Sequence, residues 1–141
     1  MKYIINERQY KLLTEQEEEI LSIPFAVFDY NWEVLQKFLE KGGNPPYKIM
    51  DELDLEDSRI QSLGNLTSVG GGLYLSYSKI ESLGNLTSVG GNLDLNGVNI
   101  QSLGNLTSVG GWLDLEGTPL SKKYTEEEIR EMVKVGGNVY L

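Results

Sequence analysis

The nine-residue segment LGNLTSVGG occurs three times without change, at residues 63–71, 83–91 and 103–111. Identical segments spaced by twenty residues are typical of repeat architectures, in which each unit buries its apolar face only against its neighbours. The complete unit reads LxLxxxxIxSLGNLTSVGGx and fills residues 73–92 and 93–112, with partial copies before and after. The central part of the chain is therefore expected to form a stack of similar coils.

The apolar residues of the unit predict its path. LxL alternates as a β-strand does, so both leucines lie on one face and the residue between them on the other. The isoleucine, the next two leucines and the valine are expected to keep pointing inward around the coil. The Gly-Gly pair is expected to let the chain turn sharply into the next strand. One coil buries too little apolar surface to offset the entropy of ordering it, so the coils have to stack.

This pattern resembles the leucine-rich repeat family in its shortest form, about twenty residues long. Four apolar blocks carry the resemblance: Leu53/Leu55/Ile60, Leu73/Leu75/Ile80, Leu93/Leu95/Ile100 and Leu113/Leu115/Leu120. The resemblance covers about residues 53–120 and implies an α/β repeat solenoid, a right-handed coil with one parallel β-sheet. The wording SLGNLTSVGGNLDLNG is also similar to repeat proteins encoded by bacteriophages.

One column departs from the family pattern. The position that usually holds asparagine contains, in order along the chain, Ser58, Ser78, Val98 and Thr118. Asparagines do recur in register elsewhere in the unit, at Asn65, Asn85 and Asn105. We expect these asparagines to form a substitute hydrogen-bonded ladder.

The segments on both sides of the solenoid, which itself spans residues 45–120, are predicted to cover its open ends. Residues 1–44 are interpreted as a helical N-terminal cap, with a capping box at Thr14 and Glu17. A helix from about Trp32 to Lys41 follows, and Gly42 ends it. The aromatic residues of this segment are expected to plug the first coil; the alternative is an aromatic partner site.

The C-terminal segment, residues 121–141, continues the repeat register. The sequence VGGNVYL at 135–141 matches VGGNLDL at 89–95, so a last strand is predicted at 139–141. Thr125 and Glu128 have the spacing of a capping box, and an apolar stripe of Ile129, Met132 and Val133 follows. A helix-plus-strand C-terminal cap is therefore expected.

Composition excludes several classes of function. The chain has no cysteine and no histidine, so it lacks disulfides, thiolate or imidazole metal ligands and the classical catalytic triads. The N-terminus is charged and has no apolar run of signal-peptide length, and no segment is long enough to span a membrane. A cytoplasmic protein is expected, in the host cytoplasm or in a virion if a phage encodes it, with no cofactor.

Negative charge is concentrated in the repeats. Residues 51–120 contain 9 acids and 2 bases, which accounts for −7 of the total charge of −9, whereas residues 121–141 contain 4 of each. Direct binding to nucleic acid is disfavoured because it needs clustered Lys or Arg. A basic protein partner is favoured instead.

The varying residues around each LxL strand form the candidate binding surface. Tyr74 and Trp112 are the expected anchors, since aromatic residues ringed by charge are typical of interfaces. The remaining candidates are polar and acidic: Asp54, Glu56, Asp94, Asn96, Asp114 and Glu116. We expect a non-enzymatic protein-interaction module that uses these residues, with self-association through an exposed strand at 139–141 as a further option.

Other interpretations of the acids remain open. An acidic mimic of nucleic acid, which would occupy a host nucleic-acid-binding or defence protein, is the first alternative, and a virion structural component is the second. Calcium binding is weakly suggested by GGNLDLNG, but its period is twenty residues where the calcium loops use nine. Asp94 and Asp114, on neighbouring strands, can in principle act as an acid–base pair, yet a flat, solvated ribbon does not separate their pKa values.

Overall fold

The structure, a computed structural model, describes residues 20–141. The predicted capping box at Thr14 and Glu17 lies outside these residues. The described part contains eleven short strands and three α-helices. The strands are β1 (Leu21–Ile23), β2 (Tyr47–Ile49), β3 (Leu53–Asp54), β4 (Leu66–Val69), β5 (Leu73–Tyr74), β6 (Ser88–Val89), β7 (Leu93–Asp94), β8 (Ser108–Val109), β9 (Leu113–Asp114), β10 (Lys134–Val135) and β11 (Val139–Tyr140). The helices are α1 (Trp32–Lys41), α2 (Pro119–Lys123) and α3 (Glu126–Met132), and a 3-10 helix (Phe25–Phe28) follows β1.

The strands form two parallel sheets, so the expected α/β class is confirmed. The five-stranded sheet has the order β3-β5-β7-β9-β11, and the six-stranded sheet has the order β1-β2-β4-β6-β8-β10. Strands within the repeats pair with their equivalents twenty residues along, as Leu73 pairs with Leu93 and Val69 with Val89. Each LxL strand pairs in the predicted register.

The prediction of one sheet is wrong, because the invariant segment contributes a second. Its Leu66 and Val69 are both buried but lie three residues apart, so the segment lacks the strict alternation that identifies a strand. Its backbone nevertheless bonds to the same segment of the next unit. Threonine side chains extend this pairing: the Oγ1 atoms of Thr67, Thr87 and Thr107 donate to the carbonyl oxygens of Tyr47, Thr67 and Thr87, respectively, at 3.1, 3.0 and 2.9 Å.

A single core lies between the two sheets and continues into the C-terminal helices. The leucines of the four LxL blocks and the inward residues of the invariant segment are all buried, as predicted. Ile60 differs from Ile80 and Ile100 because it is only partly buried, at the N-terminal end of the columns. Ile60 lines a shallow cleft together with Trp32, the first residue of α1, where the N-terminal segment adjoins the column.

The Gly-Gly pairs are required for a different reason from the one expected. The left-handed glycine of the unit is Gly84, with φ 58°, whereas Gly90 and Gly91 do not have a positive φ. A Cβ atom added to Gly90 would collide with the carbonyl oxygen of Gly70. The equivalent collision occurs at Gly70, Gly110 and Gly136. The first glycine of each pair is therefore needed because the neighbouring backbone passes where a side chain would begin.

The asparagine column contacts the preceding unit but forms a partial ladder. Asn85 Nδ2 donates to Asn65 Oδ1 at 3.2 Å, which is the side-chain contact that the ladder predicts. Asn105 Nδ2 donates instead to the backbone oxygen of Gly84 at 3.3 Å, and Asn65 Nδ2 donates to that of Asn44. The asparagines thus tie neighbouring turns together through mixed partners.

The N-terminal segment matches its prediction in part. α1 begins at Trp32, as expected, with Asn31 as its N-cap, and it ends at Lys41. The segment is not wholly helical, because β1 pairs with β2 and extends the six-stranded sheet. Phe25 is buried as a plug should be, but Tyr30 is 66% exposed and Phe38 is 48% exposed.

The C-terminal segment follows the prediction closely. α3 has the predicted capping box, with Thr125 accepting from the Glu128 N–H and the Glu128 side chain accepting from the Thr125 N–H. Ile129 and Val133 are buried, whereas Met132 is exposed and does not belong to the buried stripe. β11 pairs with β9 in the register that the sequence alignment predicts.

The column of Ser58, Ser78, Val98 and Thr118 gives a test of stability. The Oγ atoms of Ser58 and Ser78 are buried without a hydrogen-bond partner among the described residues, and Val98 fills the next position in the column. Thr118, by contrast, donates to the Leu115 oxygen at 2.6 Å and caps α2 by accepting from the Ser121 N–H. Because a buried hydroxyl without a partner costs about 1–3 kcal/mol, Ser78→Ala is expected to raise the free energy of unfolding by about 1 kcal/mol.

Thr118→Val is the matched variant in the same column. It removes a bonded hydroxyl and a helix cap, so it should lower the free energy of unfolding by about 1–2 kcal/mol. Urea denaturation followed by circular dichroism measures both changes. Equal destabilisation by both substitutions would show that the Ser78 hydroxyl is bonded in solution.

Candidate interaction surface

Three aromatic side chains form a row across the five-stranded sheet: Tyr74 on β5, Trp112 just before β9 and Tyr140 on β11. The ring of Trp112 lies between the other two, with centroid distances of 6.3 Å to each and edge-to-face geometry. Tyr140 is 41% exposed, and Tyr74 and Trp112 are half-buried. We call these three residues the aromatic row.

Local contacts show where the three aromatic residues lie along the strands. The Tyr74 ring lies over Gly72, where an added Cβ atom would be 2.6 Å from its hydroxyl oxygen. The backbone N–H of Trp112 donates to Asn92 Oδ1 at 3.0 Å, and the Asn138 side-chain amide donates to the Tyr140 hydroxyl at 3.2 Å. Gly72, Asn92 and Asn138 all precede their strands, so the aromatic row lies toward the amino ends of the strands.

The side chains of the three aspartates of the sheet lie toward the carboxyl ends of the strands, opposite to the aromatic row. The Oδ1 atoms of Asp54, Asp94 and Asp114 accept the backbone N–H two residues further on at 3.1, 3.0 and 2.8 Å. Such Asx turns end a strand and hold the carboxylate near its carboxyl end. The three aspartates therefore have a role in turn formation. This role explains why aspartate recurs at the position even if no protein binds there.

The predicted site residues thus separate into two bands on one face. Tyr74 and Trp112 are in contact through the aromatic row, as the anchors of a shared surface should be. The polar residues line the carboxyl side: Asp94, Asn96 and Asp114 are half-buried, and Asp54, Glu56 and Glu116 are exposed. Tyr140 is missing from the predicted set. The alignment of residues 135–141 with 89–95 matches Tyr140 to Asp94, and the strand pairing places Tyr140 beside Asp114.

Asp94 is electrostatically distinct on this face. Burial raises the pKa of its carboxyl, the hydrogen bond from the Asn96 N–H lowers it, and the neighbouring Asp114 carboxylate raises it further. The net shift is upward. Asp94 is thus a carboxylate held in a partly dehydrated position between β5 and β9, beside another negative charge.

Replacing Asp94 with asparagine is expected to stabilise the protein at neutral pH. Because folding raises its pKa, the folded state binds the Asp94 proton more tightly than the unfolded state. The resulting stability is present at low pH and is lost as pH rises through the folded pKa. Asparagine keeps an acceptor for the Asn96 N–H and carries no charge. The gain should be below about 1 kcal/mol because solvent screens a partly exposed group.

The pH dependence of the stability gained by Asp94→Asn tests the electrostatic explanation. Urea unfolding of wild type and Asp94→Asn should differ most at neutral pH and converge as the pH falls below the ordinary aspartate pKa. Asp54→Asn is the control, since Asp54 makes the same turn at the exposed end of the sheet. A difference between wild type and Asp94→Asn that does not change with pH would contradict the electrostatic explanation.

Two other kinds of site, a metal site and a cleft, were considered on the rest of the described surface. Within residues 20–141, no three acidic side chains converge as a metal site would require. A shallow cleft lies between the N-terminal segment and the first repeat, with Tyr30, Trp32, Arg59 and Ile60 among its lining residues. This cleft is where the alternative aromatic partner site would lie. Its aromatic residues pack on the core or point to solvent without forming a row.

The helices of the described residues are all too short or too polar to cross a membrane. Comparison with protein-family models, curated proteins and solved structures finds no match to this chain.

Proposed function

We propose that this chain is a non-enzymatic protein-interaction module that binds a basic protein partner through the face of its five-stranded sheet. The observation that carries the proposal is the partly exposed aromatic row, lying beside a band of carboxylates. Interfaces are enriched in Tyr and Trp at their centres, and these residues supply most of the energy of many hot spots. Trp112 is the central residue of the row and the expected principal anchor.

The scaffold in this proposal is a short right-handed solenoid of the leucine-rich repeat kind, capped at both ends. Support comes from the pairing of equivalent strands at a spacing of twenty residues in both sheets. The same hydrogen bonds recur at successive joints, as when Thr87 and Thr107 each donate to the preceding threonine. Residues 45–120 would be the solenoid, with residues 1–44 and 121–141 as its caps.

The acidic band supports a basic partner. Residues 51–120 contain 9 acids and 2 bases, so their field attracts positive charge and repels nucleic acid. Arg side chains bond carboxylates and also stack on aromatic faces, so a partner loop containing arginine can use both bands together. The carboxylates are expected to select the partner and speed its association, while the aromatic row supplies most of the affinity.

A non-catalytic role fits the face that carries these residues. Asp94 and Asp114 lie on an open sheet, where neither residue is fully buried. Acid–base catalysis needs groups held in a site that excludes water. On the resemblance of the repeat unit to phage proteins, we place the module in the host cytoplasm, with a virion component as the alternative.

Affinity capture from the native cell tests this proposal. Three baits are compared: wild type, the double variant Trp112→Ala/Asp114→Asn, and Val27→Ala, which alters an exposed apolar residue on the N-terminal segment. Mass spectrometry should find a basic protein retained by wild type and Val27→Ala but lost from the double variant. Equal recovery by all three folded baits would refute the assignment of the face.

Competition separates the plain interaction module from the acidic mimic of nucleic acid. If the retained partner is a nucleic-acid-binding protein, the mimic requires that its nucleic acid displaces the module and that binding weakens steeply with salt. Binding that persists at high salt and resists this competitor supports the interaction module. Recovery with assembled virus particles would instead identify a structural component.

A further inference from the structure

Among the described residues, β11 is the outermost strand at one end of the five-stranded sheet. In the preceding strands, leucine N–H groups donate to the next strand, as Leu113 does to the Asn138 oxygen at 2.9 Å and Leu115 to the Tyr140 oxygen at 2.8 Å. Val139 and Leu141 occupy the equivalent positions in the last unit, since Val139 pairs with Leu113. Within residues 20–141, no strand lies beyond β11, so the outward N–H and C=O groups of Val139 and Leu141 face this edge.

The neighbouring edge of the six-stranded sheet is closed by a side chain. Arg130 on α3 donates from Nη1 to the Val135 oxygen at 3.1 Å and from Nη2 to the Gly137 oxygen at 2.8 Å. These carbonyl oxygens lie at and just after β10. Within residues 20–141, a guanidinium thus bonds the edge of one sheet, whereas no strand or side-chain bond covers the edge of the other.

The strand β11 exposes apolar side chains, and the C-terminal segment that contains it has no net charge. Tyr140 and Leu141 are 41% and 40% exposed. Residues 121–141 contain 4 acids and 4 bases, in contrast to the strongly acidic residues 51–120. A second copy can therefore approach this end without the repulsion that two acidic faces would produce. A segment without net charge also does not attract a basic protein as the acidic residues 51–120 do.

We propose that two copies of this chain associate end to end, with β11 of each pairing antiparallel to β11 of the other across a twofold axis. The edge is self-complementary, because Val139 and Leu141 each present both a donor and an acceptor to the same side. The register that uses all of them pairs Val139 with Leu141 of the second copy. Tyr140 then lies directly opposite its own equivalent, and the two sheets join into one.

This dimer is independent of the proposed function, because it uses the end of the sheet and leaves the binding face free. It would, however, bring two aromatic rows together across the axis. A partner with two binding sites would then gain avidity from both copies. Loss of the dimer alone would leave single-site binding by each copy intact.

Cysteine cross-linking tests the register directly, since the chain contains no cysteine. Opposite residues of a non-hydrogen-bonded antiparallel pair have Cα atoms about 4.5 Å apart, within the range of a disulfide. Mild oxidation of the full-length Tyr140→Cys variant should therefore give a covalent dimer in high yield. Tyr77→Cys, an exposed position remote from this end, should remain monomeric on a non-reducing gel at the same concentration.

Sedimentation of the unmodified chain supplies the second measurement. Wild type is expected to show a concentration-dependent monomer–dimer equilibrium. Leu141→Pro removes one outward N–H but not the bonds that Tyr140 makes to β9, so it should sediment as a monomer with an unchanged melting temperature. Leu141→Ala keeps the N–H and should still form the dimer. A wild type that is monomeric at every concentration, equal cross-linking at both cysteines, or a dimer that survives Leu141→Pro would each overturn the proposal.

Discussion

Gly90→Ala is expected to lower the free energy of unfolding by at least about 3 kcal/mol, a large fraction of the stability of a domain of this size. The added Cβ atom would collide with the carbonyl oxygen of Gly70, which is backbone and cannot swing aside. Relief requires the two paired segments to move apart. That movement would break the hydrogen bonds from Gly90 to Val69 at 2.8 Å and from Gly91 to Gly71 at 2.9 Å.

The control for this substitution is Gly42→Ala, just after α1. A Cβ atom at Gly42 would have its nearest neighbour at 3.5 Å, and the residue has a φ of −91°, which alanine adopts freely. Gly42→Ala should therefore change stability little. Thermal and urea denaturation followed by circular dichroism compare the two variants. A Gly90→Ala protein as stable as Gly42→Ala would show that the backbones are further apart in solution than in the structure.

Trp112→Ala is expected to weaken partner binding by at least about 2 kcal/mol, which is about thirtyfold in Kd. The indole packs against both Tyr74 and Tyr140, so its removal takes away the central surface of the aromatic row and the support for its neighbours. The measurement is calorimetric titration with the partner recovered by affinity capture. Circular dichroism of the variant establishes that the sheet persists.

Met50→Ala is the control for binding, because Met50 is exposed and apolar but follows β2 in the other sheet. It should leave Kd unchanged. The carboxylate band is expected to act differently from Trp112: Glu116→Gln should slow association at low salt and have little effect at high salt. If Trp112→Ala and Met50→Ala bind the partner equally well, the aromatic row is not the binding centre.

The sequence predicted the LxL strands and their register because alternation and period are both visible in the letters. It did not reveal the second sheet, since Leu66 and Val69 are separated by two residues and the pairing there depends on backbone geometry. The sequence also did not show why the Gly-Gly pair is needed, because the close approach of Gly90 to Gly70 is a tertiary contact. The sequence indicates only that the two glycines have conformational freedom.

The candidate surface shows the same division. Tyr74 and Trp112 were identifiable as varying residues around the repeated leucine positions of the unit, and their rings do meet in the structure. Their contact could not be derived, because it depends on Tyr74 folding back over Gly72 and Trp112 reaching across a strand. The turn-forming role of Asp54, Asp94 and Asp114 likewise depends on side-chain rotation, which periodicity does not report.

The threonine bonds of the six-stranded sheet have a consequence for how such a chain can change its size. Thr107 contacts Thr87 as Thr87 contacts Thr67, so one joint is interchangeable with the next. Duplication or loss of a whole twenty-residue segment would create no unfamiliar contact and would alter each sheet by one strand, about 4.8 Å. The length of the two sheets can therefore change in steps of one strand. The residues exposed on the face can vary independently of that length.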